Sequence, residues 1–151
     1  MMGQHDNVSA LYFNVRSLIP KFDNLCLICA SLCPGFVCVV ESWLSSEIDD
    51  SEISIQGYNV VRLDRTRHGG GLVIYVHDMF SYSVLFKGSP DFELLTLSCK
   101  SPINNPDFYL ALFYRPSSNF LLLDTLFSTL CTFSPAVFTN FCIIANWRLQ
   151  C

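Results

Sequence analysis

The sequence predicts an α/β domain, on three observations. These are a β-α-β pattern near the N-terminus, a run of antiparallel strand candidates through the middle, and a composition able to bury a core. Apolar residues make up 51% of the 151-residue chain, aromatics 14% and charged residues only 15%, far from a disordered composition. That length suits one domain or part of one, expected over 9–148 with short tails at 1–8 and 149–151. The mean hydropathy of +0.37 is high for a domain that covers itself, so apolar surface awaiting a partner is expected.

The elements follow in order. Ser9 to Asn14 is a short apolar run that delivers Asn14 at its end, as a buried strand does. Pro20 suits a first helical turn, and Phe22, Leu25, Cys26, Cys29 and Cys33 recur at helical spacing until Pro34-Gly35. Phe36 to Val40 is continuously apolar and β-branched, which fits a strand buried on both faces, and it ends at Glu41. Parallel neighbours joined by a helix bring Asn14 and Glu41 out at one edge of the sheet, where open α/β sheets place chemistry. Ser45 to Gln56 is acidic and predicts a loop with a short helical turn. Tyr58 to Leu63 and Gly70 to Val76 flank a polar, glycine-bearing connection that suits an antiparallel pair. Tyr82 to Phe86, Glu93 to Cys99 and Phe108 to Tyr114 continue as a meander. Asn119 can cap a helix with Leu122, Leu123, Leu126, Phe127 and Leu130 on its apolar face, and Phe141 to Ile144 is one more buried strand. No repeat or low-complexity tract interrupts this order.

Several functions are excluded or disfavoured. The first nine residues lack a basic segment followed by an apolar one, so an intracellular protein is expected. No apolar run approaches the roughly 18 residues of a membrane span. Cys26, Cys29 and Cys33 share a helix face but have no second ligand pair, so they read as reduced, buried thiols. The formal charge of −4 argues against loose electrostatic adhesion to nucleic acid. Gly69-Gly70-Gly71 precedes a strand, not a helix, and is therefore no nucleotide cradle. His77 reads as a strand-end histidine.

Polar residues end four of the strands: Asn14, Glu41, Tyr114 with Arg115, and Asn146. Their contexts are Tyr12-Phe-Asn14-Val-Arg-Ser-Leu18, Val39-Val-Glu41-Ser-Trp-Leu44, Arg67-His-Gly-Gly-Gly-Leu-Val-Ile-Tyr-Val76 and Leu112-Phe-Tyr114-Arg-Pro116. In order and spacing these resemble the endonuclease/exonuclease/phosphatase superfamily. More narrowly they are similar to the apurinic-type endonuclease domain of LINE-type non-LTR retrotransposons, from about Leu11 to Arg148.

The resemblance implies a partial four-layer α/β sandwich, with the first sheet and the start of the second, the first sheet's inner face lacking part of its cover. It implies that Glu41 binds Mg²⁺, that Asn14 orients the phosphate or water, and that Tyr114 sets its phenol near the scissile phosphate. DNA is the implied partner, with a reverse transcriptase domain normally in the same polyprotein. Arg65, Arg67 and Arg115 are candidate backbone contacts, although exposed turns carry such charges anyway.

Where the family has Gly-Asp-Phe-Asn, this chain has Ala145-Asn146-Trp147-Arg148. Asn146, at the general-base position, cannot take a proton, and Arg148 adds a permanent cation. At ~5 Å and an effective dielectric near 20, that cation repels a dication by roughly 6 to 7 kcal/mol before screening. The family's later Asp and Asp-His pair are not found either. An impaired Mg²⁺-dependent DNA endonuclease is therefore expected, the alternatives being a non-catalytic relic or interaction module, or a phosphatase of the same superfamily.

Overall fold

The computed structural model describes residues 8–89, 92–102, 107–115 and 141–147. Strands β1 (Ala10–Asn14), β2 (Phe36–Val40), β3 (Tyr58–Leu63) and β4 (Leu72–His77) form one sheet in the order β1-β2-β4-β3. Strands β5 (Ser81–Ser89), β6 (Phe92–Lys100), β7 (Phe108–Arg115) and β8 (Phe141–Trp147) form a second, in sequence order. β1 and β2 are parallel, as the intervening helix α1 (Phe22–Leu32) requires. β3 and β4 pair antiparallel, and β5, β6 and β7 form the meander. β8 returns parallel to β7. Among the described residues the second sheet has four strands.

Alternation assigns the faces. Phe36, Cys38 and Val40 of β2 and Leu72, Ile74 and Val76 of β4 point to the second sheet, where Leu95, Leu97, Leu110, Leu112 and Tyr114 meet them. The opposite face of the first sheet, with Val37, Val39, Val73 and Tyr75, packs on Leu25 and Cys29 of α1. On the outer face of the second sheet, Leu94, Ala111 and Phe113 form a smaller cluster.

Cover over the first sheet's inner face is complete at β2 and β4 but not at β1, where Ala10 and Asn14 are exposed and Tyr12 is half-buried. All six of its β2 and β4 residues are 0% exposed. Among other exposed apolar side chains, Leu27 and Leu32 on the outside of α1 are 67% and 65% exposed.

Pro20 lies in a 3₁₀ turn, Ile19–Lys21, that leads into α1, and the helix ends at Cys33 in the left-handed region. The acidic segment contains the expected short turn, Asp50–Ile53, capped by Asp49 and Glu52. Arg62 pins this segment to the sheet. Its guanidinium donates to both Asp64 oxygens at 2.9 and 2.5 Å, to Asp50 at 3.1 Å, and to the carbonyls of Ile48 and Ser45, each at 2.8 Å. Planar donors in a fixed fork suit several acceptors at once.

Burial pushes the Cys29 thiol up to about 11 and that of Cys99 up to about 12, so both stay protonated and make poor ligands or nucleophiles. His77 is a strand-end residue, packed edge-on against Tyr58 with ring centroids 5.0 Å apart. The helix expected after Asn119, and Arg148, lie outside the described residues. Among the described residues no helix is long and apolar enough to cross a membrane.

Candidate functional site

The site lies at the end of the sandwich where β1 and β2 finish. Asn14 is opposite Val40 in the parallel register, and Val40 is opposite Leu72. Val40 and Leu72 pack in the same cluster as Tyr114. Asn14 is therefore on the sheet face that looks toward Tyr114, at an exposed position.

Glu41 leaves β2 with φ +57°, in a region an L side chain occupies only when its surroundings insist. Trp43 has φ +54°, Arg16 +45° and Ser17 +81°. These residues form two loops bonded to each other and to a glycine pair. Ser17 N–H donates to the Glu41 carbonyl and Leu18 N–H to that of Ser42, both at 2.9 Å. Ser42 N–H donates to the Gly71 carbonyl at 3.2 Å and Trp43 N–H to that of Gly70 at 3.0 Å. Hydrogen bonds on both sides hold the strained conformation.

The Glu41 carboxylate is fixed through one oxygen. Oε2 accepts from the Trp43 indole N–H at 2.6 Å and from the Gly70 N–H at 3.3 Å. The next amide, Gly71 N–H, donates to Oε1 of Glu93, on the other sheet. Consecutive glycine amides thus hold carboxylates from opposite sheets.

Glu93 is 2% exposed. Among the described residues its Oε2 has no hydrogen-bond partner but forms an ion pair with Arg65 at 3.6 Å. Burial raises the Glu93 pKa above its ordinary value, against the lowering effects of the Gly71 amide and Arg65, and Glu41 raises it further. Burial and the neighbouring Glu41 thus both disfavour the charged form of Glu93.

From the sequence, Glu93 is expected only as the start of a strand. The available signal was alternation, because Glu93, Leu95, Leu97 and Cys99 occupy every second position and share one face. A carboxylate in line with core residues is costly unless it is used.

Glu93 is paired with Tyr114, which is 3% exposed, and Tyr114 is paired with Asn146 on its other side. Glu93, Tyr114 and Asn146 thus form one row across the second sheet. Arg65 turns toward Glu93. Arg67 pairs with Glu47 and approaches Ser45 Oγ at 3.4 Å, so both arginines are engaged inside the chain. Arg115 ends β7 opposite Trp147.

Glu41 and the orphaned Glu93 oxygen suit Mg²⁺, which prefers oxygen and takes one or two carboxylates while keeping several waters. No group of three or more His, Cys, Asp or Glu that could hold a metal ion is found among the described residues.

Gly70 and Gly71 are essential to this geometry, with φ +69° and +93°. A Cβ on Gly71 would stand 2.4 Å from Ser42 Oγ, whereas one on Gly69 would meet nothing within 4 Å. Gly71→Ala is expected to destabilise the fold by about 1–3 kcal/mol, and Gly69→Ala by less than about 0.5 kcal/mol. Urea denaturation of the two variants checks this, and equal midpoints would contradict it.

No family model and no curated protein matches the sequence. Solved structures do match. The human Nocturnin catalytic domain superposes with a TM-score of 0.73 at 7% identity, covering 95% of this chain and 64% of that one. The endonuclease domain of TRAS1, a telomere-specific non-LTR retrotransposon, gives 0.67 at 10% identity, covering 96% and 61%. An endonuclease/exonuclease/phosphatase family protein from Bacteroides thetaiotaomicron gives 0.65 at 10% identity, covering 91% and 62%. The chain has the α/β sandwich fold of that superfamily and spans less than two thirds of each of these structures.

Proposed function

We propose that residues 9–148 form part of a Mg²⁺-dependent endonuclease domain of the retrotransposon type, acting on DNA phosphodiesters, and that this copy is impaired. The observation that carries the reading is the pair of carboxylates, Glu41 and Glu93, held by consecutive glycine amides where Asn14 and Tyr114 approach.

Glu41 holds the cation, and Glu93 adds negative charge beside it. Asn14 orients a phosphate oxygen or the attacking water through its amide. Tyr114 presents its phenol to the phosphate at a nearly dry position, where a hydrogen bond counts for more than in water. Bound Mg²⁺ supplies charge stabilisation on the phosphoryl and leaving oxygens.

The impairment comes from Asn146, which cannot accept a proton from water, and from the Arg148 cation two residues on. The likeness to the TRAS1 endonuclease domain and the Glu41-Ser-Trp-Leu and Tyr114-Arg-Pro contexts support DNA over a phosphorylated sugar or lipid.

Nicking of supercoiled plasmid tests this. Slow, Mg²⁺-dependent nicking is expected from the wild type, with Glu41→Ala falling to the rate seen in chelator. Nicking by Glu41→Ala at the wild-type rate would remove the cation site from Glu41.

A further inference from the structure

The roles above leave out Trp43, whose indole makes the shortest side-chain contact to Glu41. We infer that Trp43 is the positioning residue for Glu41: its indole N–H holds one carboxylate oxygen so that the other faces the cation. The inference rests on the reading of Glu41 as the cation's ligand.

The indole nitrogen lies 2.6 Å from Glu41 Oε2. Residues two apart on a flat strand point the same way but stand roughly 6.6 Å apart. Here left-handed conformations at both Glu41 and Trp43 curl the chain and bring ring to carboxylate. Ser42 between them is fully buried, and the Gly71 and Gly70 carbonyls bind the amides of Ser42 and Trp43. The curl is thus locked to the glycine pair that precedes β4.

The choice of donor matters. Lysine or arginine at this place would bring positive charge and compete with a dication, whereas an indole N–H is neutral and donates without accepting. Both the indole and the Gly70 amide bind the same oxygen, Oε2. Oε1 has no hydrogen bond among the described residues and remains available. Partners that orient a ligating carboxylate in this way typically change metal affinity by about 10- to 100-fold when removed.

The test combines calorimetric Mg²⁺ titration of wild type, Trp43→Phe and Glu41→Ala with ¹H–¹⁵N spectra. The Trp43 indole signal is assigned by its loss in Trp43→Phe, or through Trp147→Phe should that variant not fold. The expected results are Mg²⁺ binding by wild type, affinity lowered about tenfold or more in Trp43→Phe, and none in Glu41→Ala. The indole signal should shift on Mg²⁺ addition and move to the position of a free indole in Glu41→Ala. Equal affinity in wild type and Trp43→Phe, or an indole signal indifferent to both Mg²⁺ and Glu41→Ala, overturns the role of Trp43 and leaves Glu41 as the ligand. Absence of Mg²⁺ binding by wild type overturns the reading of Glu41 and this inference with it.

Discussion

Asn146→Asp should raise Mg²⁺-dependent plasmid nicking by about 10²-fold or more, within the range of about 10²–10⁴ that a positioned general base contributes. The β7–β8 register puts residue 146 directly beside Tyr114, so the new carboxylate enters the row that already holds Glu93. It would be able to take the proton that an amide cannot. On the proposed function, the Arg148 cation is expected to oppose the gain by disfavouring Mg²⁺ binding. Asn146→Asp with Arg148→Asn should therefore reach a given rate at lower Mg²⁺ than the single variant does. Plasmid nicking across a Mg²⁺ series separates the two contributions, since base restoration raises the plateau and charge removal shifts the midpoint. A plateau in Asn146→Asp no higher than in wild type would mean that residue 146 does not face the reacting water.

The sequence was informative where one side-chain property decides the outcome. The run Phe36–Val40 is apolar at every position and lies wholly buried between α1 and the second sheet. The polar connection between β3 and β4 could only be a turn, and the parallel β1–β2 pair follows from the helix between them. With those strands paired, Asn14 and Glu41 had to emerge at one end.

What stayed hidden depends on partners distant in sequence. Arg62 is, in the sequence, a cation close to a polar turn. Its five acceptors lie on Ser45, Ile48, Asp50 and Asp64, and only the folded loop assembles them. Arg65 and Arg67 have carboxylate partners for the same reason. The left-handed conformations of Glu41 and Trp43 carry no glycine to announce them, because hydrogen bonds from two other loops impose them. Alternation puts Glu93 in line with Leu95, Leu97 and Cys99, but an isolated strand does not specify which face of β6 meets the first sheet.

Glu93→Gln should make the metal-free protein more stable at pH 8 by an amount on the order of 1 kcal/mol, the lower end of the cost of a buried group with an unmet hydrogen bond, since Arg65 and the Gly71 amide offset part of it. The direction follows from the raised pKa of Glu93, caused first by burial. The folded chain holds this proton more tightly than the open chain, whose carboxyl titrates near the ordinary 4.5. Stability from the bound proton is therefore complete below that value and is lost as pH rises through the folded-state value. Glutamine imitates the protonated acid in shape and can still accept from the Gly71 amide, so the variant escapes the loss. Its advantage should vanish at low pH, where wild type is protonated as well. Mg²⁺ should narrow the gap from the other side, since the cation offsets the charge that burial penalises and glutamine has none to offset. Urea denaturation at low and high pH, with and without Mg²⁺, measures all four corners. A Glu93→Gln variant less stable than wild type at pH 8 without metal would show that Arg65 and the Gly71 amide outweigh desolvation, and that the charge at this end of the sandwich is compensated from within.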